Sequence, residues 1–148
     1  MLYENIKEVE ELVEKWTEIL CLQDWDISVF EVKKEWRKTG DIKIDSDDKK
    51  AILMVNGFNP KITNLESLIV HELMHLKLWG LDQTIEQLIN IVFGEDESDL
   101  KRDYAMTKFM EILEPTVADL TRSFISLESK DSRPTNGRVM KLVEDELV

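Results

Sequence analysis

The sequence predicts an α+β fold: an N-terminal helix, a small three-stranded antiparallel sheet, a helix carrying the chain's two histidines, and a long C-terminal helix. Three observations predict it. Apolar residues recur every three or four positions at both ends of the chain, the pattern turns to alternation between them, and 148 residues with 43% hydrophobic content suit one core. We therefore expect one domain over residues 1–128 and a tail over residues 129–148.

From Tyr3 to Leu22 the apolar positions Ile6, Val9, Leu12, Val13, Trp16, Ile19 and Leu20 mark an amphipathic helix. From Trp25 to Trp36, Ile27, Val29 and Glu31 alternate with Ser28, Phe30 and Val32, which suits a strand. Asp41–Ile44 forms a second strand between Thr39-Gly40 and the turn 45–50. The third, Ala51–Val55, is a near-continuous apolar run ended by Asn56-Gly57 and Asn59-Pro60. An antiparallel meander is the expected pairing. Asp45, Asp47 and Asp48 lack the glycine and distal glutamate of a calcium loop, so they read as a solvated hairpin turn.

A helix follows, with Thr63 and Glu66 as a capping box, Leu65, Ile69, Leu73 and Leu76 as its apolar stripe and Gly80 as its stop. Asp82 then caps a short helix running to Phe93, which Gly94 ends. An acidic loop, 94–99, leads into the long helix from Leu100 to Leu127, interrupted by Pro115. In the tail, Ser132–Gly137 reads as a linker before an acidic stretch with Val139, Leu142 and Val143.

Composition excludes several function classes. With 31 acidic against 19 basic residues the net charge is −12, which opposes contact with phosphate backbones and anionic bilayers. We expect neither a nucleic-acid nor a membrane partner. The residues around Met1–Lys7 carry no basic and apolar leader pattern, and no run of 18 apolar residues occurs, so a cytoplasmic protein is expected. Cys21 stands alone and fits a reducing compartment as a buried helical thiol.

The chemistry sits at His71-Glu72-Leu73-Met74-His75, an HExxH motif. Histidines four apart on a helix lie about 40° apart around its axis and about 6 Å along it, so both imidazoles reach one ion. Glu72 flanks that face, placed to take a proton from a zinc-bound water and return it to a leaving amine. The blander alternative is a pair of satisfied core histidines beside an ordinary helix-forming glutamate. Since these are the only histidines in the chain, chance gives this arrangement on the order of one time in a few hundred. A zinc site is the expectation.

A catalytic zinc holds three protein ligands, and no third histidine exists. Glu86, Glu111 and Glu114 are the carboxylate candidates. Measured from the apolar stripe of the long helix, Glu114 lies about 95° away and Glu111 about 155°, which favours Glu114. Glu86 would have to fold back from the short helix. Asp119 is a candidate partner for a ligand histidine, and Tyr104 a candidate donor to the oxyanion.

His71-Glu72-Leu73-Met74-His75, followed by Glu114 with Val117 and Leu120, resembles the gluzincins, the zinc peptidases with a glutamate ligand. Within them it is most similar to the small minigluzincins and to short phage-type metallopeptidases. The resemblance covers roughly Tyr3 to Leu127 and implies a zincin-like fold in which His71, His75 and Glu114 hold Zn2+ and Glu72 is the general base. The chain departs from the larger members in lacking an Asn-Glu pair at the third ligand, in adding residues 82–99, and in showing no evident tyrosine or histidine for the oxyanion.

The expected activity is hydrolysis of peptide bonds in a peptide or protein substrate, with the strand Ala51–Val55 pairing an extended substrate at the cleft. The competing expectation is a non-catalytic binding or regulatory module on a zincin scaffold, with structural or lost zinc.

Overall fold

The computed structural model describes residues 6–58, 64–128 and 137–147, without the side chains of 137–141. The fold is α+β: α1 (Ile6–Ile19), β1 (Asp26–Val32), β2 (Gly40–Asp45), β3 (Lys50–Asn56), α2 (Leu65–Lys77), α3 (Trp79–Phe93), α4 (Leu100–Glu128) and α5 (Gly137–Glu146). Among the described residues no helix is long and apolar enough to cross a membrane.

The apolar stripe of α1 puts Val9, Val13 and Trp16 into the core. They share one core with Leu53 and Val55 of β3, Ile69 and Leu73 of α2, and Leu113 and Val117 of α4. Glu66, in the first turn of α2, accepts hydrogen bonds at Oε1 from Trp16 Nε1 (2.8 Å) and Lys15 Nζ (3.0 Å). Two helices are thereby tied across about fifty residues of sequence. Cys21 is exposed, not buried in the helix: it lies beyond the end of α1 with φ +56°.

The sheet is mixed rather than an antiparallel meander. Its order is β1-β3-β2, with β1 parallel to β3 and β2 antiparallel to it. Only β2 and β3 form a hairpin, closed by Asp45, whose Oδ1 accepts the N–H groups of Asp47 (3.1 Å) and Asp48 (3.3 Å). The connection 33–39 instead carries the chain past the slot that β3 later fills. Asn56, fully buried, clamps that connection: its Nδ2 donates to the carbonyls of Trp36 (3.2 Å) and Lys38 (2.7 Å), and its N–H donates to Thr39 (2.9 Å). Consequently Ala51–Val55 lies in the central strand, and it offers no free edge to a substrate.

Asn64 caps α2, accepting the N–H of Ser67 at 3.0 Å; Thr63 of the expected capping box lies outside the described residues. The helix ends at Leu78, whose backbone (φ −93°, ψ 5°) turns directly into α3. Gly80 is thus not a stop but part of the first turn of α3, and Asp82 lies inside that helix rather than capping it. Gly94 does end α3, at φ +82°, a conformation that favours glycine. Asp99 caps α4 by accepting the N–H of Arg102 (2.9 Å), and Arg102 Nε donates to Asn90 of α3 (3.0 Å). Helix α4 continues through Pro115. The tail forms α5, of which Gly137 is the first residue; Ser132–Asn136 of the expected linker lie outside the described residues.

Candidate metal and catalytic site

Helix α2 is buried on most sides, with Leu68, Ile69, Val70, Leu73, Met74 and Leu76 in the core. One stripe is left to face a cleft. On it His71 and His75 stand with ring centroids 5.1 Å apart and planes at 68°. Packing of Leu113 and Val117 seats α4 against this region and brings Glu114 between the two imidazoles. His71 Nε2 lies 3.6 Å from Glu114 Oε2, and His75 Nε2 lies 3.2 Å from Glu114 Oε1. Ligand atoms of the three residues all fall within 4.8 Å of one another. Donors bound to one zinc at its usual bond lengths stand about 3.3–3.5 Å apart in a tetrahedron, and the two His–Glu114 separations lie close to that spacing.

The other candidates are elsewhere. Glu111 pairs with Lys108 (3.3 Å) and Glu86 accepts from Gln83 (3.2 Å). Asp119 pairs with Arg122 rather than with a ligand histidine. Tyr104 is exposed under the ammonium of Lys108, 5.5 Å from its ring, and is not brought to the cleft.

Glu72 is buried, with 8% of its surface exposed. Its carboxyl is pushed up to about 7, first by burial and then by the negative charges of Asp41 and Glu114, against the opposing pull of Lys38. Burial also works to raise Asp41, but bonds from Lys38 (2.8 Å), Lys43 (2.9 Å) and the Ile42 N–H hold it below the ordinary carboxylate range. His71 is lowered by burial and by His75, with Glu114 opposing, which favours the neutral imidazole that can bind a metal.

The second wall of the cleft is β2. Two hollows of about 310 and 320 Å3 share Lys38, Gly40, His71 and Glu72; the first adds Ile42, Ile44 and Trp79, the second Thr39 and Ser67. Together they make a furrow along the sheet edge. Gly40 permits this closeness, since a Cβ there would sit 2.6 Å from Leu68 Cδ1 of α2. Lys38, Gly40 and Asp41 are site residues that sequence reasoning missed. Their signal was weak: a basic, glycine-ended connection with none of the Asn-Gly or Asp-Gly dipeptides of a tight hairpin.

Comparison with protein-family models, curated proteins and solved structures finds no match to this chain.

Proposed function

We infer that the chain is a zinc-dependent metallopeptidase of gluzincin type. The observation that carries this reading is the convergence of His71, His75 and Glu114, with donor atoms within 4.8 Å, beside a buried Glu72. Two imidazoles and a carboxylate are the donor set of several catalytic zinc sites, and a purely structural site has no use for the neighbouring glutamate. Bound there, zinc would supply Lewis acidity and a water acidified towards neutrality.

Glu72 would accept the proton of the attacking water and hand it to the departing amide nitrogen. Substrate would lie along β2. Because Asn56 donates to the Thr39 carbonyl, the odd-numbered residues of β2 turn their backbone groups towards β3, and Gly40, Ile42 and Ile44 turn theirs towards the cleft. Asp41 takes up the N–H of Ile42 at 2.9 Å, leaving the other groups for an extended peptide. Lys38, which lines both hollows and donates to Asp41 at 2.8 Å, would bring a positive charge to the substrate's side of the furrow.

The test is digestion of a peptide library by zinc-loaded protein, read by mass spectrometry. Wild type should cleave, and Glu72→Gln should retain zinc while losing about two to four orders of magnitude in rate. Zinc-loaded wild type that leaves the library intact, or a Glu72→Gln variant that matches wild type, would overturn the proposal.

A further inference from the structure

A second hollow lies away from the candidate catalytic furrow. It is a groove of about 700 Å3 between α1 and β1, at the opposite edge of the sheet. Its apolar lining comes from Val13 of α1 and from Trp25, Ile27 and Val29 on and beside β1. Its rim is acidic: Glu10, Glu14 and Glu18 recur every four residues, so they form one exposed row on α1.

The strand edge in this groove is free among the described residues. In sheet order β1 pairs only with β3, and Asp26 N–H bonds Lys49 while the Val32 carbonyl accepts from Gly57. Even-numbered residues of β1 therefore face β3, and Ile27, Val29 and Glu31 direct their backbone N–H and C=O outward. An open edge with an apolar flank is a template for an added strand.

The spacings of rim and strand agree. Successive glutamates of the row stand about 6 Å apart along the helix, and alternate residues of an extended chain repeat at about 6.6–6.8 Å. Three cationic side chains at alternate positions of an added strand would meet Glu10, Glu14 and Glu18 in turn. We propose that the α1–β1 groove is a second peptide-binding surface, which takes an extended segment with lysine or arginine at every other residue as an additional strand on β1. Being formed by the sheet edge away from the furrow, it recruits a basic partner without using the catalytic residues. The occupant is given by charge: the rim repels acidic segments, including the acidic end of this chain's own tail, Glu144-Asp145-Glu146.

The test titrates the full chain with the acetylated, amidated peptide Lys-Val-Lys-Val-Lys-Val, followed by amide chemical shifts and by anisotropy of a labelled copy, with peptide integrity checked by mass. The expected result is shifts centred on Ile27 and Val29 and an affinity that falls about tenfold or more on raising salt from 50 to 500 mM. Glu10→Gln/Glu14→Gln/Glu18→Gln, whose replaced side chains are exposed, should weaken binding about tenfold or more. If that variant does not fold, the single Glu14→Gln and the salt series carry the comparison. A peptide N-methylated at alternate backbone nitrogens on its pairing side should lose binding, whereas the same change on its other side should not. Equal binding of the glutamate-for-lysine peptide, insensitivity to N-methylation, shifts confined to the His71–Glu114 cleft, or occupation of the groove by a second copy of the chain would each overturn the proposal. Because the readout is binding, failure here leaves the peptidase reading untouched, and loss of hydrolysis leaves this one standing.

Discussion

Glu72→Gln should stabilise the metal-free protein, and by an amount that depends on pH in a calculable way. The Glu72 carboxyl titrates near 7 in the fold and at 4.5 ordinarily, because burial and the charges of Asp41 and Glu114 disfavour its ionised form. Between those values the folded state binds the proton that the unfolded state has released. Wild-type stability therefore falls as pH rises from 4.5 to 7, and the full cost, about 3 kcal/mol at 1.36 kcal/mol per pH unit, is present above pH 8. The amide that replaces the carboxyl in the variant does not titrate, and whatever its burial costs is the same at every pH. Other titrating groups are shared by both proteins and largely cancel in the difference. Urea unfolding followed by tryptophan fluorescence, with chelator present, gives that difference directly. Between pH 5.5 and 8.5, a window clear of the isoelectric point near 4.6, the advantage of the variant should grow by about 2 kcal/mol. A difference flat across this window would refute the claim that Glu72 is held protonated by its surroundings.

Three further outcomes follow from the geometry. Glu114→Ala should sharply weaken zinc binding in a metal titration, while Glu111→Ala and Glu86→Ala should leave it near wild type, because those carboxylates pair with Lys108 and Gln83 instead. Zinc bound by Glu114→Ala as tightly as by wild type would remove that residue from the site. Gly40→Val should destabilise by about 1–3 kcal/mol and reduce hydrolysis, since its side chain pushes Leu68 and α2 away from β2; unaltered unfolding and turnover would contradict the close packing. Asn64→Ala should cost about 1 kcal/mol by removing the cap on the Ser67 N–H, measured as a lowered urea midpoint at constant slope.

What was legible in the sequence was what the local chain fixes. The 3.6-residue period of α1 gave its buried face, Val9, Val13 and Trp16, whereas α4 was legible as an element but buries Thr121 and Ile125 beside Leu113 and Val117, a set that its apolar period marks only in part. The angular argument that favoured Glu114 over Glu111 agrees with the placement of Glu114 beside the two imidazoles and of Glu111 beside Lys108. Helix junctions were less legible. Gly80 looked like a stop, yet nothing stands within 4 Å of where its Cβ would be, and the chain turns instead at Leu78, a residue with no turn signature. Cys21 was misplaced by extending the helical period beyond Ile19 into the turn that leads to β1.

The pairing of strands is a non-local choice, and that is where expectation and structure part. A meander would make β2 the central strand and set β3 at an edge; the observed order inserts β3 between β1 and β2 and exposes β2 instead. One difference in order relocates the whole second wall of the cleft. Lys38, Gly40 and Asp41 become neighbours of Glu72 only because the connection 33–39 crosses to the far edge, where Asn56 fastens it through the carbonyls of Trp36 and Lys38. The outward-facing backbone groups of Gly40 and Ile44, the glycine needed for close approach to Leu68, and the Asp41 charge that helps raise Glu72 then all come from a single edge strand. A motif on one helix can thus give two candidate metal donors from sequence alone, while the surface that would orient a substrate against them depends on a strand order that local patterns do not specify.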